Sequence, residues 1–184
     1  HPNITTVYDF QVEGDTAYIV MEYVPDSLDK HVRDGQYLPY QRAVEIAVQV
    51  CRGLAHAHEN GVIHRDLKPA NIMLDRKMEP FVMDFGLAKS ADTNLTKTSM
   101  VMGTINYLSP EQGVGDECDT RSDLYSLGVV LYHLSTNQLP FTGENPTSII
   151  YQHIHTPPRP PKEINPDLPP GLEAIILRLM EKKP

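Results

Sequence analysis

The chain has 184 residues, 40 % of them hydrophobic and 22 % charged, which is the composition of a globular domain and excludes a disordered segment. Its formal net charge of −8 argues against broad affinity for nucleic acids or for anionic membrane surfaces. The first predicted element is a hairpin. Residues 4–10 and 16–22 are rich in β-branched and aromatic side chains, and a turn-prone Glu-Gly-Asp at 13–15 separates them.

The rest of the chain is predicted to be mostly helical. Residues 40–60 carry apolar side chains at helical spacing, which predicts the clearest helix. Residues 121–136 predict a largely apolar, buried helix, and the apolar spacing at 172–180 predicts a final amphipathic helix. Short apolar runs at 72–74 and 81–83 predict a second, smaller hairpin between the first two of these helices.

A proline-rich span lies at 157–170. It is interpreted as an irregular loop, with a polyproline ligand as the alternative. Cys51 and Cys118 give neither a metal spacing nor a disulfide framework, and Cys51 is expected to be a buried thiol on the apolar face of its helix. The nearly apolar run 124–134 is too short to span a bilayer, so we expect a cytoplasmic domain without membrane contact in this segment.

Two motifs carry the chemistry. Residues 64–71, His-Arg-Asp-Leu-Lys-Pro-Ala-Asn, place a carboxylate, a cation and a carboxamide close together, and Asp-Phe-Gly follows at 84–86. Phosphoryl transfer needs a group to orient the attacking hydroxyl, a cation for the phosphate charge and oxygen ligands for magnesium. With Gly-Thr at 103–104 and Tyr-Leu-Ser-Pro-Glu at 107–111, the pattern resembles eukaryotic-type (Hanks-type) Ser/Thr protein kinases, in a bacterial-like form.

The resemblance implies an α+β, protein-kinase-like fold with a mainly helical C-lobe and a residual N-lobe β-hairpin. It assigns 1–184 to a partial kinase domain, with N-lobe strands at 1–21, the hinge between lobes at 22–26 and the C-lobe at 27–184. The family's Gly-rich loop and N-lobe lysine have no counterpart in the sequence. We therefore expect either a fragment of a longer kinase or a natural truncation, with little or no turnover by these residues alone.

The same resemblance implies roles at the reaction centre. Asp66 would be the catalytic base, Lys68 would contact the transferred phosphoryl group, and Asn71 and Asp84 would hold Mg²⁺. Taken singly, Asp66 could be a solvated loop charge, and Asn71 or Asp84 a turn or capping residue. Residues 103–111 would form the ledge that binds the substrate peptide. Thr104, near its start, would bridge Asp66 and Lys68.

The resemblance also implies an ATP site. Residues 20–24 resemble the hinge, where backbone groups at Glu22 and Val24 would read the adenine and Met21 would guard the pocket behind it. Met73 would form the floor below the ring. The alternatives are an apolar strand end for 20–24 and an ordinary core residue for Met73.

Four residues are assigned structural roles by the resemblance. His64 would pack against Phe85, although acid–base catalysis is the alternative for a histidine that titrates near neutrality. Asp123 would accept hydrogen bonds from the backbone of the catalytic loop. Glu111 would pair with an arginine of a late helix, and because no suitable arginine follows Met180, we expect this carboxylate to be left unpaired.

Arg65 precedes the catalytic aspartate, as in kinases that are switched on by phosphorylation of an activation loop. The candidate loop is 87–103, in which Thr96 and Thr98 resemble paired phosphothreonines that Arg65 could grip. A generic hydroxyl-rich loop is the alternative.

These features predict ATP-dependent phosphorylation of Ser and Thr hydroxyls on proteins, with ATP and Mg²⁺ as cofactors and the protein itself among the substrates. A pseudokinase-like scaffold or partner-binding module is the alternative from a non-enzymatic class. A small-molecule phosphotransferase is disfavoured, because such enzymes lack the segment 103–111.

Overall fold

The computed structural model describes residues 1–33, 38–85 and 103–183. Within them the chain forms two small antiparallel sheets and a helical body, the α+β architecture that the sequence predicts. The strands are β1 (Val7–Glu13), β2 (Thr16–Met21), β3 (Asp26–Ser27), β4 (Ile72–Leu74) and β5 (Pro80–Val82). The α-helices are α1 (Leu28–Arg33), α2 (Tyr40–Glu59), α3 (Pro110–Val114), α4 (Thr120–Thr136), α5 (Pro146–His155) and α6 (Pro170–Leu179). No helix in the described ranges is long and apolar enough to cross a bilayer.

The predicted hairpin is confirmed as β1 and β2. Gly14 closes its turn with a φ of 59°, a left-handed conformation that glycine adopts without steric cost. The first strand begins at Val7 and not at Ile4. Ile4 is bridged instead to Val82 of the second sheet, where the Thr5 N–H donates to the Val82 carbonyl at 3.0 Å.

The second sheet has the strand order β3-β4-β5. Its β4–β5 part is the small hairpin that the sequence predicts, with Met73 opposite Phe81. The segment before β1 lies along β5, because the Val82 N–H donates to the Asn3 carbonyl at 3.0 Å and the Asn3 amide donates to the Pro80 carbonyl at 3.1 Å. This small sheet fixes the ends of the loops that carry both sequence motifs.

Helix α2 follows the predicted spacing. Ala43, Ile46, Val50 and Leu54 are buried on one face, which packs against α4 and β5. A Cβ atom on Gly53 would lie 2.9 Å from the Asn3 carbonyl oxygen, so this glycine lets the segment before β1 approach the helix.

Helix α4 is the buried centre of the helical body, as predicted. Its N-cap residue Asp119 accepts a hydrogen bond from the Arg121 N–H at 2.7 Å, which starts the helix at Thr120. A Cβ atom on Gly128 would lie 2.7 Å from Cβ of Leu179, so the glycine permits close packing of α6. Burial on nearly every side places the polar side chains of the first turn inside the protein.

The expected burial of Cys51 is wrong. Cys51 is exposed, because it lies with Ala47 and Ala55 on the row of α2 beside the buried stripe. An apolar residue adjacent to a helical stripe therefore does not have to be buried.

The sequence analysis missed three helices. Helices α1 and α3 have 6 and 5 residues, too few for a periodic pattern. Helix α5 has a readable start, because Pro146 is its first residue and the Asn145 side chain accepts a hydrogen bond from the Ser148 N–H at 2.9 Å. The proline-rich span 157–170 is irregular, as expected, apart from one 3₁₀ turn at Pro161–Glu163 and Pro170, which is the first residue of α6.

Candidate active site

The loop at 64–71 is anchored by one buried carboxylate in the first turn of α4. Asp123 Oδ2 accepts from the His64 N–H at 2.9 Å, and Oδ1 accepts from the Arg65 N–H at 2.8 Å. His58, near the end of α2, places its Nε2 2.7 Å from Oδ2. The Asp123 side chain is 1 % exposed, so these bonds replace the water that it loses on burial.

His64 is enclosed and makes contacts that suit the neutral ring. Its Nε2 lies 2.8 Å from the Met83 carbonyl, and its Nδ1 lies 3.2 Å from the Asp66 N–H. Nε2 must therefore carry the hydrogen and Nδ1 must accept. Burial lowers the pKa of His64, which favours the same neutral form. The Phe85 ring lies edge-on with its centroid 4.8 Å away, so His64 and Phe85 pack together.

Asp66, Lys68 and Thr104 form a continuous polar chain. The Lys68 ammonium lies 2.8 Å from Asp66 Oδ2 and 2.8 Å from Thr104 Oγ1. The Asn71 amide donates to the Asp66 carbonyl at 2.8 Å and to Oδ2 at 3.1 Å. Among the described residues, the bonds from Lys68 and Asn71 to the carboxylate both fall on Oδ2, so Oδ1 is the oxygen left for a further hydrogen bond.

Asn71 and Asp84 are brought together by the β4–β5 hairpin. The Met83 N–H donates to the Asn71 carbonyl at 3.0 Å, which places Asp84 one residue beyond this bond. The Asn71 amide nitrogen is turned to Asp66, so its carboxamide oxygen is the atom suited to a metal. Within the described ranges no group of three His, Cys, Asp or Glu residues could hold a metal ion. Two oxygen donors suit Mg²⁺, which takes its remaining ligands from phosphate and water.

The predicted hinge follows β2 directly. The Glu22 N–H donates to the Thr6 carbonyl at 2.8 Å, so the Glu22 carbonyl is its backbone group suited to a ligand. Val24 is buried, and Met73 lies half-buried in β4. Met21 lines a cavity of about 130 Å³ that also contacts Phe85.

Arg65 has two unusual properties. Its backbone φ is 67°, a left-handed value that is rare for a residue other than glycine. Its buried Nε has no hydrogen-bond partner among the described residues. Thr96 and Thr98, its predicted partners after phosphorylation, lie outside the described residues.

The expectation of an unpaired Glu111 is wrong. The Ser122 hydroxyl donates to Glu111 Oε1 at 2.5 Å, so a serine of α4 serves the carboxylate in place of an arginine.

The sequence analysis also missed Gln112, which donates to the Arg65 carbonyl, and His58. For Gln112 a signal was present, since a Gln three residues after Ser109 is a capping-box pattern.

The chain is similar to known proteins along its whole length. A model of the protein kinase domain family matches residues 1–184. Serine/threonine-protein kinase PknB of Mycobacterium leprae is 45 % identical over 192 residues, which cover 100 % of this chain and 31 % of that protein. PknB of Mycolicibacterium smegmatis is 44 % identical over 193 residues, with 100 % and 31 % covered. A probable serine/threonine-protein kinase of Clostridium perfringens is 42 % identical over 186 residues, with 100 % and 27 % covered.

These relatives align with the chain from end to end, but the aligned part is 31 % or less of their own length. The chain thus spans less than a third of the length of these relatives. A family model that matches every residue, together with the reaction-centre geometry, leads to one assignment. The chain belongs to the protein kinase domain family.

Proposed function

We propose that the protein carrying this chain is a protein Ser/Thr kinase that transfers the γ-phosphoryl group of ATP to Ser and Thr hydroxyls of proteins. The observation that carries the proposal is the Lys68 ammonium, which lies 2.8 Å from both the Asp66 carboxylate and the Thr104 hydroxyl. The Lys68 cation thus contacts both the proposed base and a residue of the ledge at 103–111. The names of the relatives support the same reaction.

In this mechanism Asp66 Oδ1 accepts the hydrogen bond of the substrate hydroxyl and then its proton. The hydroxyl oxygen forms a bond to the γ-phosphorus as the bond from that phosphorus to the β–γ bridging oxygen breaks, which releases ADP. Lys68 lies beside the transferred group and offsets its charge. Asn71 and Asp84 would hold Mg²⁺, which neutralises phosphate charge when bound.

We assign the adenine contacts to the backbone at Glu22 and Val24, with Met73 below the ring. This assignment rests on two observations. Residues 22–26 follow β2 directly, and the Glu22 N–H already donates to the Thr6 carbonyl, so the Glu22 carbonyl is the group suited to a ligand. The domain division follows from it, with strands at 1–21, the hinge at 22–26 and the C-lobe from 27 onward. The kinase domain is proposed to act in the cytoplasm on protein substrates.

The regulatory proposal is that phosphate on Thr96 or Thr98, added by the protein itself, binds Arg65. The buried Nε of Arg65, which has no acceptor among the described residues, supports it, because a buried N–H without an acceptor is costly and a phosphate supplies acceptors in the matching geometry.

The test compares the full-length protein with its Asp66→Asn and Asp84→Asn variants, each incubated with magnesium and labelled ATP. We expect phosphate on Thr96 or Thr98 in the parent, found by mass spectrometry, and a loss of at least about 10²-fold in both variants. Full transfer by the Asp66→Asn variant would contradict the role of the base. A folded parent that binds nucleotide and labels neither itself nor an acceptor protein would instead favour a scaffold.

A further inference from the structure

We propose that Gln112 is a positioning residue for phosphoryl transfer: its side-chain amide holds the peptide between Arg65 and Asp66 and so fixes Asp66 relative to the ledge. This inference rests on the proposed function, since it concerns the geometry of the same site. Gln112 does not touch the reacting atoms, and its effect passes through the backbone of the loop.

The Gln112 side chain uses both ends of its carboxamide. Its Nε2 donates to the Arg65 carbonyl at 2.6 Å. Its Oε1 accepts from the Ser109 N–H at 3.0 Å and from the Ser109 hydroxyl at 3.1 Å. Because the two bonds to Ser109 fix the orientation of the amide, the Nε2 end has a defined direction. The amide is therefore a rigid link between the first turn of α3 and the catalytic loop.

The peptide that Gln112 holds is the strained one. Arg65 has a φ of 67°, a conformation that persists only where the surroundings enforce it. The Arg65 N–H is held by Asp123 Oδ1 at 2.8 Å, and the Asp66 N–H is held by His64 Nδ1 at 3.2 Å. Gln112 supplies the partner for the remaining polar group, the Arg65 carbonyl. Without it, the peptide that leads into Asp66 loses one of its two hydrogen bonds, and only the bond from the Asp66 N–H to His64 remains.

The link matters because it gives the ledge a second attachment to the loop. Thr104 at the start of the ledge reaches Asp66 through Lys68, and Gln112, directly after its last residue, reaches the peptide before Asp66. A hydroxyl presented on the ledge is therefore held at a set distance from the carboxylate. Since a misplacement of about 1 Å in a reacting pair can cost about 10²-fold in rate, Gln112 should affect turnover more than binding.

The experiment uses the full-length protein, its Gln112→Glu variant and its Val114→Ala variant. Gln112→Glu keeps the size and an acceptor for the Ser109 N–H, but it puts an oxygen without hydrogen against the Arg65 carbonyl. Val114→Ala shortens an exposed side chain of the same helix, outside the ledge, and leaves both ends of the Gln112 carboxamide in place, so it is the control for a change in α3 that spares the amide. The acceptor is a synthetic peptide of residues 91–101, and kcat and KM are measured separately for the peptide and for MgATP.

We expect kcat of Gln112→Glu to fall about tenfold while both KM values stay within about twofold of the parent. Val114→Ala should match the parent in all of these constants. The proposal fails if Gln112→Glu keeps the parent kcat, if Val114→Ala shows the same loss, or if only KM rises. Should Gln112→Glu be too unstable, Gln112→Met has a similar length without polar atoms and is expected to give the same pattern.

Amide hydrogen exchange adds a readout that does not depend on activity. The amides of residues 64–66 should exchange faster in Gln112→Glu than in the parent and in Val114→Ala, because only the first variant frees the peptide. An active parent with equal variants overturns the inference and leaves the proposed function standing. A parent without transfer overturns the proposed function, and the exchange rates then still decide whether Gln112 holds the loop.

Discussion

The catalytic loop and the β1–β2 hairpin are held in opposite ways. Residues 64–71 are tied to the helical body by buried polar groups, above all by Asp123, which accepts from the His64 and Arg65 N–H groups and is itself bonded to His58. In the described structure the two strands of the hairpin pair with each other, and Val7, Phe10 and Val12 are 59 %, 60 % and 65 % exposed. The geometry needed for chemistry is thus set by the helical body and not by the hairpin.

The hairpin exposes apolar side chains on both of its faces. Tyr18 and Ile19 are successive residues of β2 and point to opposite faces, yet both are exposed. A two-stranded hairpin without a buried face is marginal in water. Its backbone pairing can form the strands, but only packing on another element would make it as rigid as the loop.

The sharpest test of this comparison removes the anchor of the loop. Asp123→Ala leaves two backbone N–H groups and His58 without their acceptor inside the protein, so the domain should lose about 3 kcal/mol or more of unfolding free energy. Chemical denaturation of the full-length protein measures the loss. Asp119→Ala is the matched control, because it removes the exposed N-cap of the same helix and an exposed ion pair with Arg121, and should cost about 1 kcal/mol. Equal costs for the two variants would contradict the anchoring role of Asp123.

A pair of truncations compares the two regions directly. Leu54→Ala creates a cavity in the core beside α4 and should cost about 2–5 kcal/mol, since Leu54 is 1 % exposed. Phe10→Ala on the hairpin should cost less than about 1 kcal/mol. Chemical denaturation of the full-length protein and of both variants measures the two losses of unfolding free energy. A cost above about 2 kcal/mol for Phe10→Ala would show that another part of that protein covers the hairpin.

The same contrast explains what the sequence could predict. Asp66, Lys68 and Asn71 stand at short spacings in one loop, so their joint position was readable from the chain. The bond from Gln112 to Arg65 was not, because 47 positions separate the two residues and the contact exists only after α3 packs on the loop.

Long-range packing also decided the expectations that proved wrong. Ser122 takes the place expected for an arginine beside Glu111, and the contact depends on how α3 and α4 meet. Periodicity predicted α2 and α4 to within one residue of their observed starts, because each of these helices buries a long apolar surface. Periodicity could not show whether Cys51 lies within the buried stripe of α2 or beside it, because that depends on which elements pack against the helix.

A smaller effect should come from acid, through a buried histidine of α5. Burial, with the nearby Lys182 ammonium, lowers the pKa of His153 in the folded protein to about 3, from an ordinary value of 6.5. The groups that face it are Tyr125, whose hydroxyl lies 3.1 Å from Nδ1, the Phe141 ring and Lys182, which donates to the His153 carbonyl at 2.8 Å.

Neither Tyr125 nor Lys182 titrates between pH 3 and 6.5, since the pKa of Lys182 is lowered only to about 8 and that of Tyr125 is raised. Below pH 6.5 the unfolded chain therefore binds a proton at position 153 that the folded protein refuses, and stability falls as the pH falls toward 3. His153→Gln keeps a polar side chain without this titration. Its unfolding free energy should depend less steeply on pH than that of the parent, by up to about 1.4 kcal/mol per pH unit. Parallel pH profiles for the two proteins between pH 6.5 and 4.5 would mean that His153 accepts a proton in the folded state, and would contradict the lowered pKa.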